Sequence, residues 1–292
     1  MLSVCLANNI GIDSIYNGDQ AGLWYRKLPN CMYFPEDVGK SKRGTKQMKD
    51  KDRITMMVCT SATGLKIPLA VIGTAATPEC FRDLANNSPP LPYNHQSNAY
   101  FDQNIFHWWL TEVFAKNCEG LRNGGKVLLI LDNAKIQVDV ADVPVNIIIR
   151  YLPANLTSMY QPMDQGVIRS LKIGYKQLML EKLLEICDNR ELYNERKAEA
   201  ALKRRGQKGL QFACKAHIVD AMNLLNNIWN SPVPKYCTTN MIQGCFRRSK
   251  CLPKTLSEYL LSEDQSMEQL NVDVLEAYKK LQVSATSRCC GW

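Results

Sequence analysis

Five consecutive apolar residues, Val127 to Leu131, run straight into Asp132 and Asn133. A run that short and that apolar reads as a buried strand, so the chain must build a sheet around it. The strand ends on a carboxylate, and a charge at the edge of a buried element is costly unless something compensates it. Any fold proposed for the chain has to explain both facts.

The neighbouring signals supply the rest of an α/β pattern. A β-type run at Ile12–Asp19 closes on an acid and a turn, Asp19-Gln20-Ala21-Gly22. Residues 53–73 read as a hairpin around Ser61-Ala62-Thr63-Gly64, and 86–96 as loop because Pro and Asn crowd it. Residues 101–117 form an amphipathic helix, with Ile105, Trp108, Trp109 and Val113 at helical spacing and Asp102 near its start. The Trp pair reads as core rather than as a base-stacking platform. A fifth strand follows at 146–152, then a loop and a helix that begins near Asp164. Beyond about Lys172 the pattern is helical. It includes 175–188, a helix at 210–230 with Ile218, Met222, Leu225 and Trp229 on one stripe, and a last helix at 266–282 before a frayed tail. The expected architecture is a mixed five-stranded sheet with flanking helices, followed by an all-helical C-terminal region.

Several classes drop out. No eighteen-residue apolar stretch exists, so no membrane-spanning helix is expected, and the N-terminus is a poor signal peptide. Glycine-rich nucleotide loops are missing. The 12 cysteines are scattered without a C-x-x-C pair and with only 3 histidines, which argues for reduced, mostly buried thiols of an intracellular protein and against zinc.

Charge points to a partner. The chain carries a formal net charge of +8. Gly39–Arg53 holds Lys40, Lys42, Arg43, Lys46, Lys49, Lys51 and Arg53 against Asp50 and Asp52. Basic clusters recur at 203–205, inside a basic linker at 195–209, and at 247–250. Each alone reads as a solvated loop. Together they favour a polyanion, with DNA contacted through its backbone and without sequence specificity.

Asp19, Asp132 and Asp164 each fall where an element ends or begins. Neighbouring strand ends lie roughly 5 Å apart in a sheet, so Asp19 and Asp132 can share one cleft if their strands are adjacent, with Asp164 closing it from a helix. Singly, such acids are common turn or cap residues. As a group they repel, and oxygen-only ligands make sense for Mg²⁺ or Mn²⁺. Two such ions about 4 Å apart would serve in-line phosphodiester attack.

The stretches Ile15–Pro29, Lys51–Gly73, Leu128–Lys135 and Tyr151–Lys172 resemble the DDE superfamily endonuclease domain of pogo, Tigger and jerky-type transposases, which are mariner-related. Gln161-Pro162-Met163-Asp164-Gln165-Gly166-Val167-Ile168 is the most specific of these motifs. The resemblance implies an RNase H-like fold and a nuclear location. It also implies DNA cleavage and strand transfer, with Asp19, Asp132 and Asp164 as catalytic residues and ligands of two Mg²⁺ or Mn²⁺ ions. It divides the chain into a tail at 1–14, the DDE domain at 15–185 and a helical region at 186–292. Two motifs depart from the family pattern: Gln20 and Ala21 stand where Glu and Thr are usual, and Gln137 where a His is usual. The short 1–14 tail leaves no room for the family's helix-turn-helix region, so site-specific recognition is not expected. A homodimer is admitted, with the oligomeric state left open. The favoured reading is a transposase-derived DNA-binding protein, with residual metal-dependent cleavage or strand transfer left open. The alternative is an inactive domesticated fragment that acts as a chromatin or protein-interaction module.

Overall fold

The computed structural model describes residues 2–27, 52–84, 88–132, 143–153, 157–189, 191, 194–195, 216–232, 234–249 and 251–252. Six strands form one mixed sheet: β1 (Ile15–Trp24), β2 (Arg53–Ser61), β3 (Ala70–Gly73), β4 (Tyr93–His95), β5 (Val127–Leu131) and β6 (Ile147–Tyr151). Their order is β4-β3-β2-β1-β5-β6. The strands β1, β2 and β3 make an antiparallel meander, and β5 and β6 extend it in parallel from the other side of β1. That meander with parallel additions is the RNase H-like arrangement the resemblance implies.

Alternation along the strands sorts the core onto two faces. Ile15, Ala21 and Leu23 of β1 and Leu128 and Ile130 of β5 pack under the helices α3 (Val167–Asp188), α4 (Ile218–Trp229) and α5 (Thr239–Arg248). Tyr16, Leu129 and Leu131 face the opposite layer, built on Trp109 and Phe114. Helix α1 (Leu2–Asn8) precedes the sheet and buries Cys5. All five residues of β5 are buried, as its composition requires.

Two expectations need correction. The first strand does not end at Asp19. It starts at Ile15, after a 3₁₀ turn at Ile12–Ser14, and runs through Gln20-Ala21-Gly22 to Trp24. The cause is its partner: β2 pairs with it from Tyr16–Ser61 to Trp24–Arg53, and that ladder overrides the local turn signal. The sheet also has six strands, not five. Tyr93–His95, inside the stretch read as loop, adds to the edge in parallel with β3, and the Tyr93 ring meets Phe81 edge-on at 4.9 Å.

The helix at 101–117 is present. Asp102 caps α2 (Gln103–Trp108) by accepting a hydrogen bond from the Ile105 amide at 2.9 Å, and the helix continues through a π-helical stretch, Trp109–Phe114, to Asn117. Trp109 is fully buried. Cys5, Cys59, Cys80, Cys118, Cys237, Cys245 and Cys251 are free, and all but Cys80 of these are buried. No described helix is long and apolar enough to cross a membrane.

Trp229 fastens α4 to the sheet. Its indole N–H donates to the Ile67 carbonyl at 2.8 Å, and the Lys66 ammonium donates to the Trp229 carbonyl at 3.0 Å. Because strands and C-terminal helices share this core, Trp229→Ala should cost about 3–5 kcal/mol. Strand and helix probes should report a single urea transition. Two separated transitions would show that the helices fold apart from the sheet.

Candidate active site

Asp19 and Asp132 each follow directly on a paired residue of β1 and β5, and the Asp132 charge reaches Asp19. The parallel register pairs Asn17 with Ile130 and Gly18 with Leu131, and one further step sets Asp19 beside Asp132. There β5 stops while β1 continues to Trp24. Asp164 arrives on a 3₁₀ turn, Pro162–Gln165, and is exposed to solvent. The turn hands over to α3 at Gly166, whose φ of 145° lies where a side chain is strained.

Two fully buried amides hold these pieces together. Asn17 donates to the Ile130 carbonyl at 2.9 Å and to the Gln161 side-chain oxygen at 3.0 Å, and it accepts from the Met163 amide at 3.0 Å. Gln161 in turn donates to the Gly18 carbonyl at 3.3 Å. One side chain thus fixes β1, β5 and the turn carrying Asp164.

The electrostatics follow from the crowding. Burial, then the Asp164 charge, pushes the Asp19 carboxyl up to about 7, with Asp132 adding to the rise. The Gln20 amide, donating to Asp19 Oδ1 at 2.7 Å, and Gln161 pull the other way. Asp164 is raised by partial burial and then by Asp132, against a hydrogen bond from Asp19 and the charge of Lys172. Burial lowers the Lys172 ammonium while Asp164 and Asp19 oppose that shift. Among the described residues no group of three His, Cys, Asp or Glu side chains is set to hold a metal ion as it stands. In donor type the three carboxylates fit an oxygen-preferring dication, and their mutual repulsion is what such an ion relieves.

The three expected aspartates are therefore brought together. The expected nucleic-acid-binding residues Lys40, Lys42, Arg43, Lys46, Lys49 and Lys51 lie outside the described residues, as do 203–205, Asn133, Gln137 and Lys250. Of the third basic cluster, Arg248 donates to the Gln165 carbonyl at 3.3 Å, next to Asp164. Alternation turns Gln20 away from Asp19, so the departure at 20 does not touch the carboxylates through its side chain. Asn17 and Lys172 were not singled out from sequence. An amide two positions before Asp19, hence on its face of the strand, was the available signal for Asn17.

The antiparallel meander with parallel strands added beside it, flanked by helices, is an RNase H-like domain. The model of the DDE superfamily endonuclease matches residues 51–246, and the chain belongs to that family. Asp132 and Asp164 lie within the matched span and Asp19 ahead of it. The human Jerky protein homolog is 34% identical over 57% of this chain and 30% of its own length. Mouse Tigger transposable element-derived protein 4 is 27% identical over 81% of this chain and 40% of its own. ARS-binding protein 1 of Schizosaccharomyces pombe is 30% identical over 60% and 33%. The chain thus spans well under half the length of these relatives. The Mos1 transposase chain of a paired-end complex with the left transposon end overlaps more loosely, with a TM-score of 0.38 and 11% identity over 78% of this chain and 56% of that one.

Replacing Asn17 with Ala strands the Met163 amide and the Gln161 side chain. Urea unfolding should register a loss of about 1–3 kcal/mol for each group orphaned. A pH series tests the charge crowding. In the folded chain Asp19 keeps its proton up to about 7, against an ordinary value of 3.8. The folded state therefore binds more protons over that window, and stability in chelator should fall as pH rises from about 4 to about 7. Asp19→Asn should flatten this fall.

Proposed function

We propose that the chain is a transposase-derived nucleic-acid-binding protein of the nucleus whose Asp19, Asp132 and Asp164 form a centre for metal-dependent DNA phosphodiester cleavage. The DDE domain would span 15–185, with 1–14 ahead of it and the helical 186–292 behind. The observation that carries the reading is the register that sets Asp19 beside Asp132, with Asp164 tied to the same point through Asn17 and Gln161.

Asp19, Asp132 and Asp164 would hold Mg²⁺ or Mn²⁺, which when bound supplies neutralising charge at the phosphate and an activated water or 3′-hydroxyl. The chain's own residues do the positioning. Gln161 orients the Asp19 carboxyl, the Gln20 amide fixes one of its oxygens, and Lys172 offers a cation beside the acids to attract a phosphate. Basic segments outside the described residues would track DNA backbone without regard to sequence. The names of relatives, a transposable element-derived protein and an ARS-binding protein, agree with a DNA partner. Gln137, standing where the family usually keeps a His, favours a second reading, a catalytically silent module of chromatin or protein assemblies.

The purified chain should nick supercoiled plasmid in Mg²⁺ or Mn²⁺, and Asp132→Ala should abolish it. No nicking in either metal would leave the silent module. Independently of turnover, Mn²⁺ should raise the melting temperature of the wild type and not of Asp19→Ala. Neutralising Lys42, Arg43, Lys46 and Lys49 together should weaken DNA binding and lower its salt slope by about four phosphate contacts.

A further inference from the structure

Trp24, Arg53 and Tyr100 make a second feature, on the face of β1 away from the carboxylates. Trp24 and Arg53 are cross-strand partners at the end of the β1–β2 ladder, so their side chains share a face. Trp24 is 45% exposed and Tyr100 55%. The Arg53 guanidinium lies over the Tyr100 ring, 5.6 Å from its centre, and among the described residues its buried Nε finds no hydrogen-bond partner.

The group is built rather than scattered. Arg53 lies across Gly22, where a Cβ would come within 2.6 Å of its Nε. Any other residue at 22 would lift the guanidinium off the strand. Tyr100 is presented by a tethered turn. The Gln96 amide donates to the Gly73 carbonyl at 3.0 Å, and the Gln96 side-chain oxygen accepts from the Asn98 and Tyr100 amides at 2.7 and 3.2 Å. The Thr55 hydroxyl donates to the Ala99 carbonyl at 2.5 Å. Ala99 itself holds a φ of 52°, a conformation that costs a residue with a side chain and persists only where its surroundings impose it. Strain and four hydrogen bonds together fix the residue that points an aromatic ring at solvent.

Exposed aromatic faces beside a flat cation are the means by which proteins stack unpaired bases, since every base has a π-face and Arg adds charge for the adjoining phosphate. Arg53 is also the last cation of the basic run Gly39–Arg53. We propose that Tyr100, Arg53 and Trp24 form a stacking platform for an unpaired nucleobase, so that the chain engages single-stranded nucleic acid here. The proposal rests on the reading of the chain as a nucleic-acid binder and is independent of cleavage.

Fluorescence anisotropy with labelled oligothymidylate and with a blunt duplex of equal length tests it, using the full chain. Tyr100→Ala should weaken single-strand binding about tenfold and leave duplex binding unchanged. Tyr100→Phe should restore it, and Trp24→Ala should weaken it in the same selective way. Melting curves establish that each variant is folded. If Tyr100→Ala alters only the melting temperature, the pair is internal packing and the platform is wrong. Equal loss on single strand and duplex overturns it as well, leaving general nucleic-acid binding intact. Failure of the wild type to bind either probe overturns both readings.

Discussion

The site depends on the saturation of one buried amide. Asn17 has no access to water, so its polar groups must find partners in the protein or cost the fold dearly. It finds them on two separate pieces of chain: the backbone of β5, and the turn segment, through the Gln161 side chain and the Met163 amide. Apolar packing could bring the same elements together, but it tolerates sliding. A hydrogen-bonded amide with fixed directions does not, and carboxylates meant to meet at a point need that directionality.

The charges are set against this rigid frame. Asp19 and Asp164 are held close at an energetic cost, visible in the upward displacement of both carboxyls. Lys172 offsets part of that cost from α3, with no direct ion pair to these acids among the described residues. Such a site is poised between two ways of relieving repulsion, taking up a proton or taking up a dication, and the two compete for the same oxygens.

Much of this was legible in the residues because it is local. Five apolar residues in a row can only be buried, Asp102 at a helix start can only cap, and Gln161 through Ile168 carries its spacing on its face. What failed to show was set by partners. The stretch Gln20-Ala21-Gly22 looks like a turn, yet β2 supplies a ladder that keeps it extended. Tyr93–His95 sits among turn-forming residues and becomes a strand because β3 has an open edge. Asn17 looks like a polar interruption until the groups around it are known, since a buried amide's role belongs to its neighbours. The family pattern at Gln20 read as a loss to the site, whereas strand alternation turns that side chain elsewhere.

The parity of β1 carries a consequence for how such a chain can drift. Residues 17 and 19 share a face because strands alternate, and they meet β5 because the register is parallel and in step. Inserting one residue between them would swing the carboxylate to the tryptophan side of the sheet. Inserting two would restore the face but carry it about 7 Å past Asp132. Descendants of this fold can therefore exchange many side chains around the carboxylates, while a single insertion or deletion in β1 ends the arrangement outright.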